Sequence, residues 1–246
     1  MKKKQSAFRW ILYLIGLACL ATGMTINTKT GLGAAAAMSL PFTISQLTNV
    51  NLGDVTLGTY VLFIALQMVL HTRLERKRGI PSTRVRWLKD AAQFLVAIGV
   101  TRVVNIVSVL IPMLGEGNVG PFWDHVLVRI LVLTFGVTIT GIGAAITLNM
   151  RMVPNPVDGL VHAVADSIGK TVGFTKNAFD VVNVIISVAL GLIFAGGLIG
   201  IGVGTFLAMV GCGRVISLFN RFFSEKICHL AGLEPDATAK KPKTAN

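Results

Sequence analysis

Six long apolar runs restrict what this chain can fold into more than any other feature of its sequence. The hydrocarbon core of a bilayer is about 30 Å thick and a helix rises about 1.5 Å per residue, so roughly 20 apolar residues make one crossing. The runs cover roughly residues 8–27, 55–72, 91–113, 123–148, 177–195 and 198–217. They predict an all-α fold, a polytopic membrane helix bundle of about six transmembrane helices.

Composition agrees with a bundle surrounded by a lipid bilayer. Of the 246 residues, 53% are hydrophobic and only 14% are charged, which is too little charge for the surface of a soluble domain of this length. The net charge of +12 resides in short clusters at the ends of the runs. These clusters flank the spans and show no groove-forming pattern, which argues against a nucleic-acid partner. The cysteines and histidines are scattered, so we expect no metal, no cofactor and no disulfide framework.

The clusters of Lys and Arg predict how the chain is oriented. Basic residues occur at the N-terminus, in the loop 73–89, and after the fourth and sixth runs, whereas the alternate loops hold little charge. Because basic loops stay on the cytoplasmic side, we predict a multi-pass plasma-membrane protein with both termini in the cytoplasm. We interpret the first run as a retained signal anchor. Residues 236–246 are predicted to form a disordered tail.

An internal repeat emerges when the chain is shifted by 120 positions. Identical residues then coincide at Gly16/Gly136, Gly23/Gly143, Ile26/Ile146, Leu40/Leu160, Gly53/Gly173 and Val61/Val181. Each half reads as a span, a broken segment and two further spans. Repeat one covers about 8–113 and repeat two about 123–220, within a single membrane domain, 1–235. Because three spans are an odd number, the second half is predicted to be inverted in the membrane relative to the first.

Each half contains one break after its first span. The first-half break reads NTKTGLGAAAAMSLP and the second-half break reads NMRMVPNPVDGL. Pro154 and Pro156 prevent an ordinary helix through the second break. Backbone at such breaks must be covered by protein or water. The short apolar stretches that follow, 34–50 and 156–170, are therefore predicted to be re-entrant or interfacial helices.

Polar residues recur at helical spacing in both halves. One stripe in the fifth span comprises Lys176, Asp180, Asn183 and Ser187, and the equivalent positions of the second span hold Thr56, Tyr60, Phe63 and Gln67. We expect both stripes to face the bundle interior, where they either bond neighbouring helices or contact a solute. After the second break Asp158, His162, Asp166 and Lys170 recur every four residues. This pattern predicts either the wet face of a surface helix or a cavity that Asp158 faces.

Two arginines lie inside apolar spans, Arg102 in the third and Arg129 about one turn inside the fourth. An arginine near the middle of a span costs about 2.5–3.5 kcal/mol to insert, so it normally faces protein or water. Arg102 is a candidate for binding an anionic group or for pairing with Asp180. Arg129 is predicted to snorkel toward the surface. The sixth span is rich in glycine, which we interpret as a helix-packing device.

Three motifs of the second half match the pattern of a known family. Asp158 and Gly159 follow the break, Asp180 lies within the next span, and a glycine run over 196–204 ends at Thr205. With these motifs the chain resembles the YczE/YitT type of bacterial integral membrane protein. The resemblance implies a six-span architecture and, for some members, a link to secretion or secondary-metabolite production. In the first half, alanines at 34–37 replace the acidic signature of that family.

The pattern as a whole favours a transporter of a small solute, with Asp180 as a candidate for proton coupling. The candidate substrate-binding residues are Asp158, Asp180, Asn183, Arg102, Tyr60 and Gln67. No catalytic or metal-binding constellation is evident, so we do not expect an enzyme. One alternative is a non-transporting accessory or regulatory protein whose basic loop 73–89 holds an anionic lipid or a protein partner. Another is the substrate-binding membrane component of a larger transporter.

Overall fold

The computed structural model of the protein describes residues 2–79, 84–115, 117 and 119–233. Its helices are α1 (Lys2–Lys29), α2 (Ala36–Thr48), α3 (Leu52–Arg78), α4 (Arg84–Leu110), α5 (Pro121–Asp124), α6 (Val126–Met150), α7 (Pro156–Ile168), α8 (Val172–Ala195) and α9 (Val203–Leu230). Six of them, α1, α3, α4, α6, α8 and α9, are long and apolar enough to cross a membrane. The predicted helical membrane bundle is therefore confirmed. The predicted tail, 236–246, lies outside the described residues.

The sixth span differs from its prediction at both ends. Its helix occupies 203–230, whereas the apolar run predicted 198–217. The preceding helix, α8, stops because Gly196 adopts the left-handed conformation, with φ of 68°, and Gly200 does the same. Glycine enters this region of φ without the steric penalty that other residues meet. The first part of the glycine run is therefore a connection between helices and not the start of a span.

The same connection is bonded to the first-half break. The backbone N–H of Ala34 donates to the carbonyl of Gly200 at 2.8 Å, and the N–H of Gly204 donates to the carbonyl of Leu32 at 2.8 Å. These two bonds satisfy backbone groups that a broken helix leaves free. Part of the glycine run thus allows two stretches of backbone to meet, which the helix-packing interpretation did not anticipate.

The boundaries of the helices reproduce the offset of 120. Helices α2 and α7 begin at 36 and 156 and end at 48 and 168, and helices α3 and α8 begin at 52 and 172. The residues with left-handed backbone also correspond, since Gly31 matches Arg151 and Asn49 matches Gly169. The two halves therefore share local structure as well as a hydrophobic pattern.

Helices α1 and α6 pack against each other through glycines at matching positions. A Cβ atom on Gly143 would lie 2.6 Å from the carbonyl oxygen of Gly16, and one on Gly23 would lie 2.6 Å from that of Gly136. Position numbers rise along one helix as they fall along the other, so the two helices are antiparallel. Because α1 and α6 are equivalent members of the repeat, the halves are inverted relative to each other.

Two arginines at equivalent positions tie the ends of these helices together. Arg9 donates from Nε to the carbonyl oxygen of Met150 at 2.8 Å. Arg129 donates from Nε to the carbonyl oxygen of Thr30 at 2.7 Å. Each guanidinium thereby reaches the carboxyl end of the first span of the other half, where carbonyls lack intrahelical donors. Arg129 is thus bonded to backbone just beyond the end of α1, a partner that the prediction of snorkelling did not name.

Helices α2 and α7 are half-helices, each of 13 residues. Their N-terminal residues are mostly buried and their C-terminal residues are exposed, which fits the re-entrant alternative better than a helix lying along a surface. Helix α2 packs mainly against α8, and helix α7 packs mainly against α3. Each half-helix therefore lies against the second span of the opposite half.

Candidate functional site

A cavity of about 290 Å³ lies between the two halves. Its walls come from α1 and α2 of the first half and from α6, α7, α8 and α9 of the second. The polar residues in the lining are Asn27, Thr140, Asn155, Asp158, His162, Lys176, Asn177, Asp180 and Cys212. Residues 35–37 and Asn155 also belong to the lining, so both half-helices begin at the cavity wall.

Three charged side chains share one part of this lining. The Nζ atom of Lys176 lies 3.8 Å from Oδ1 of Asp158. Asp180 follows Lys176 by one helical turn and interacts electrostatically with both of these groups. Asp180 is only 8% exposed, and its Oδ1 has no hydrogen-bond partner among the described residues. One lysine therefore provides the positive charge for two carboxylates, which leaves this part of the cavity with an excess of negative charge.

Two buried asparagines bring further unpaired polar atoms to the cavity. Asn27 is 1% exposed, and neither its Oδ1 nor its Nδ2 has a partner within the described chain. Asn155 is 7% exposed and its Oδ1 is likewise unpaired. No side chain caps the N-terminus of α2 or α7, although Asn155 holds the N-cap position of α7. Uncapped N–H groups and the helix dipole give both N-termini partial positive charge.

Two of the six predicted site residues, Asp158 and Asp180, line the cavity. Tyr60 lies behind the wall, since it is fully buried and its side chain approaches Asn155. Asn183 is buried about one turn beyond Asp180 and donates to a carbonyl of its own helix at 2.9 Å. These two residues therefore support the wall and do not line the cavity.

The other two predicted residues, Gln67 and Arg102, lie outside the cavity lining. Gln67 donates from Nε2 to Oδ1 of Asp90 at 2.7 Å, and Oδ2 of Asp90 lies 3.1 Å from Nδ1 of His71. This is a separate cluster between α3 and α4. The side chain of Arg102 is 61% exposed and lies 3.7 Å from Asp54. It therefore pairs with a carboxylate on α3 and not, as one alternative proposed, with the acid of the fifth span.

The polar stripes also contact the half-helices directly. Ser187 donates to the hydroxyl of Ser39 at 3.1 Å, which joins α8 to α2. At the equivalent positions of the other half, Oε1 of Gln67 lies against Gly159 of α7, where a Cβ atom would collide with it. Part of the α8 stripe thus lines the cavity, whereas Ser187 and Gln67 contact the half-helices of the opposite half.

Sequence reasoning did not name Asn27, Asn155 or Lys176 as site residues. Both asparagines lie within a break, at the start of NTKTGLG and inside PNP. A polar amide at the point where a span is interrupted is a signal that identifies such residues. Lys176 belonged to the predicted stripe, but its pairing with Asp158 depends on the contact between α7 and α8, which the sequence pattern does not reveal.

Comparison with known proteins places the chain in a family. A model described as "Family of unknown function (DUF6198)" matches residues 7–221. The uncharacterized protein YyaS of Bacillus subtilis (strain 168) is 22% identical over 211 residues, which cover 86% of this chain and 92% of that protein. No solved structure matches. Neither match carries the YczE/YitT name. Because the family model matches most of the chain, residues 7–221, the chain belongs to the DUF6198 family of unknown function.

Proposed function

We propose that the protein transports a small solute, which binds in the cavity between the inverted halves. One observation carries the proposal: two uncapped half-helices begin at the cavity wall beside buried polar groups that have no partner among the residues the structure describes. Interrupted helices that meet between inverted repeats form the binding sites of many secondary transporters. Buried polar groups are costly to leave unpaired, so a ligand that satisfies them gains binding energy.

Asp180 is the residue that we propose for coupling solute movement to protons. Carboxyl groups inside membrane bundles commonly form part of proton pathways in transporters. The Asp180 carboxyl lies in the cavity with one oxygen unpaired, next to Lys176. It is therefore placed to exchange a proton with a solute or with water in the cavity. Asp158, which Lys176 holds at 3.8 Å, completes the charged part of the site.

Replacing Asp180 with asparagine is expected to reduce solute-dependent proton movement at least tenfold, because the amide keeps the shape of the side chain and loses its titratable proton. Purified protein would be reconstituted into liposomes that contain a fluorescent pH indicator. Small amines, amino acids, carboxylates and sugars would be added in turn, and the internal pH would be recorded.

Asp54→Asn is the matched control, because it makes the same chemical change at a half-exposed carboxylate outside the cavity. We expect its activity to stay within twofold of the unmodified protein. Full activity in Asp180→Asn would remove Asp180 from the mechanism. If none of the four solute classes moves, the transport proposal itself fails.

A second candidate function is supported by the exposed basic side chains of Arg73, Arg76 and Lys77 at the end of α3. Clustered Lys and Arg beside a span attract anionic lipid headgroups and acidic partners. In this alternative, the basic segment 73–89, which includes the end of α3 and the start of α4, holds such a partner and the protein is an accessory component without transport activity. The resemblance to the YczE/YitT type is compatible with both functions.

We further propose that the protein lies in the plasma membrane with both termini in the cytoplasm, because Lys and Arg concentrate at one set of loops. A reporter fused after residue 118 follows three spans and is expected on the outer side. A fusion after residue 79 follows two spans and is expected in the cytoplasm. Alkaline phosphatase activity and fluorescence of a cytoplasmic reporter distinguish the two sides. Cytoplasmic placement at 118 would contradict the orientation.

A further inference from the structure

We infer that the solute bound in this cavity carries a protonated amino group, which Asp180 holds. The inference deepens the proposed function, since it names the class of solute for the same site. Three features of the cavity lead to it: the charges of the lining, its unpaired donors and acceptors, and its size.

The charges of the lining favour a cation. Lys176, Asp158 and Asp180 are the cavity-lining residues, among those that the structure describes, that carry a formal charge at neutral pH with histidine neutral. Lys176 lies within ion-pair distance of Asp158, and Oδ1 of Asp180 has no hydrogen-bond partner in the part of the chain that the structure describes. Because one lysine is shared by two carboxylates, one negative charge is left uncompensated, which is unfavourable in a buried place. A cationic group beside Asp180 balances the three charges, whereas a carboxylate or phosphate there adds to the repulsion.

The unpaired hydrogen-bonding atoms favour a cation that donates. Within the described chain, three buried acceptor oxygens at the cavity lack partners: Oδ1 of Asp180, Oδ1 of Asn27 and Oδ1 of Asn155. Among the buried side-chain atoms of the lining that the structure describes, the unpaired donor is Nδ2 of Asn27. Acceptors therefore outnumber donors among these buried atoms. A protonated primary amine offers three donors and no acceptor, which complements this set, whereas a quaternary ammonium group offers none.

The size and the remaining surface of the cavity favour a small solute. The volume of about 290 Å³ lies at the lower limit of the pockets that bind drug-sized molecules. Apolar side chains, among them Met24, Val137, Val161 and Ala208, surround the polar groups. These side chains would contact a short hydrocarbon portion of the solute. The uncapped N-terminus of α2 at the same wall also favours a carboxylate on the solute. Both simple amines and amino acids therefore fit the site.

An amino group held by Asp180 also explains how protons enter the mechanism. The carboxylate of Asp180 either holds a proton or pairs with the ammonium group, because protonation removes the charge that attracts the cation. Release of the proton from Asp180 to the solution frees the carboxylate for the solute, and departure of the solute allows a proton to return. Solute and proton therefore compete for one carboxyl group, and their movements are opposite in direction.

Two matched pairs of probes test the inference with the full chain purified in detergent. Ethanolamine and choline differ in whether the nitrogen carries hydrogens, and L-alanine and L-lactate differ in whether an ammonium group is present. We expect ethanolamine at millimolar concentration to raise the Tm by several degrees, and choline and lactate to leave it unchanged. A shift with alanine as well assigns amino acids to the site, and a shift with ethanolamine alone assigns simple amines.

Variants locate the binding group. Asp180→Asn and Asn27→Ala are each expected to weaken ethanolamine binding at least tenfold, and Asp54→Asn is expected to leave it unchanged. If choline or lactate stabilises the protein as well as ethanolamine does, the inference is wrong. It is also wrong if neither ethanolamine nor alanine binds. The thermal-shift assay measures binding and does not depend on transport. If amines bind but do not move in the liposome assay, the proposed transport is refuted and the inferred solute class is not. If sugars or carboxylates move and amines do not bind, the inferred solute class is refuted and transport is not.

Discussion

Replacing Gly143 with valine is expected to cost about 3 kcal/mol or more of bundle stability, which is the largest effect we expect from any single substitution. A Cβ atom at Gly143 would collide with the backbone N of Leu20 and lie 2.6 Å from the carbonyl oxygen of Gly16. These are backbone atoms of α1, so they cannot move aside without moving the helix. The halves must therefore separate. The Tm of the purified protein and its elution as a monodisperse species measure the loss.

Gly99→Ala is the control for this substitution. Gly99 lies on the exposed face of α4, and a Cβ atom there would have no neighbour within 4 Å. Because alanine has a higher helix propensity than glycine by about 1 kcal/mol, we expect an unchanged or slightly higher Tm. If Gly143→Val and Gly99→Ala have the same small effect, close contact between α1 and α6 does not hold the halves together.

Substituting alanine for Arg9 or Arg129 is expected to destabilise the bundle by about 2–3 kcal/mol in each case. Each guanidinium donates to a carbonyl at the carboxyl end of the opposite first span. Removing it leaves that carbonyl without a donor in a partly buried place. Arg9 donates a second bond to the carbonyl of Arg151 at 2.9 Å, so its loss is expected to be at least as large. Thermal unfolding of both variants provides the comparison.

Lysine substitutions separate hydrogen bonding from charge, and Arg102→Ala is the control. Lysine at either position keeps the charge and loses the planar fork of donors, so we expect only partial recovery of stability. Arg102→Ala removes an exposed arginine at 3.7 Å from a half-exposed carboxylate, and we expect a change below about 0.5 kcal/mol. A large loss at Arg9 together with none at Arg129 would show that the two contacts are not equivalent.

The helices and the repeat were predictable because hydrophobicity along the chain reports both. The shift of 120, read from a few identical residues, coincides with the first residues of α2 and α7 and of α3 and α8. The start of α9 was not predictable in the same way, because a run such as GGLIGIG is apolar whether it is helical or not. Hydrophobicity indicates burial in lipid or protein, whereas the left-handed backbone at Gly200 and its hydrogen bond to Ala34 depend on a segment that is distant in sequence.

The site was predictable only in part, because partners of polar residues are distant in sequence. Asp158 and Asp180 were found from their spacing on helices that must hide polar faces. The position of Arg102 along its span did not predict that its side chain is exposed and lies outside the cavity. Its exposure depends on how α4 is rotated and on the presence of Asp54 nearby. Asn27 becomes part of the site only when α1 meets the first turn of α2 at the cavity.

The reciprocal packing of the half-helices bears on how such a bundle moves. Helix α2 lies against α8, and helix α7 lies against α3. The molecule therefore contains two equivalent contacts of a half-helix with a span, one in each orientation of the repeat. In the transport function that we propose, an exchange of geometry between these two contacts opens the cavity toward the opposite face of the bundle. The states that are open to either face are then related by the symmetry of the repeat, with the roles of the two halves exchanged.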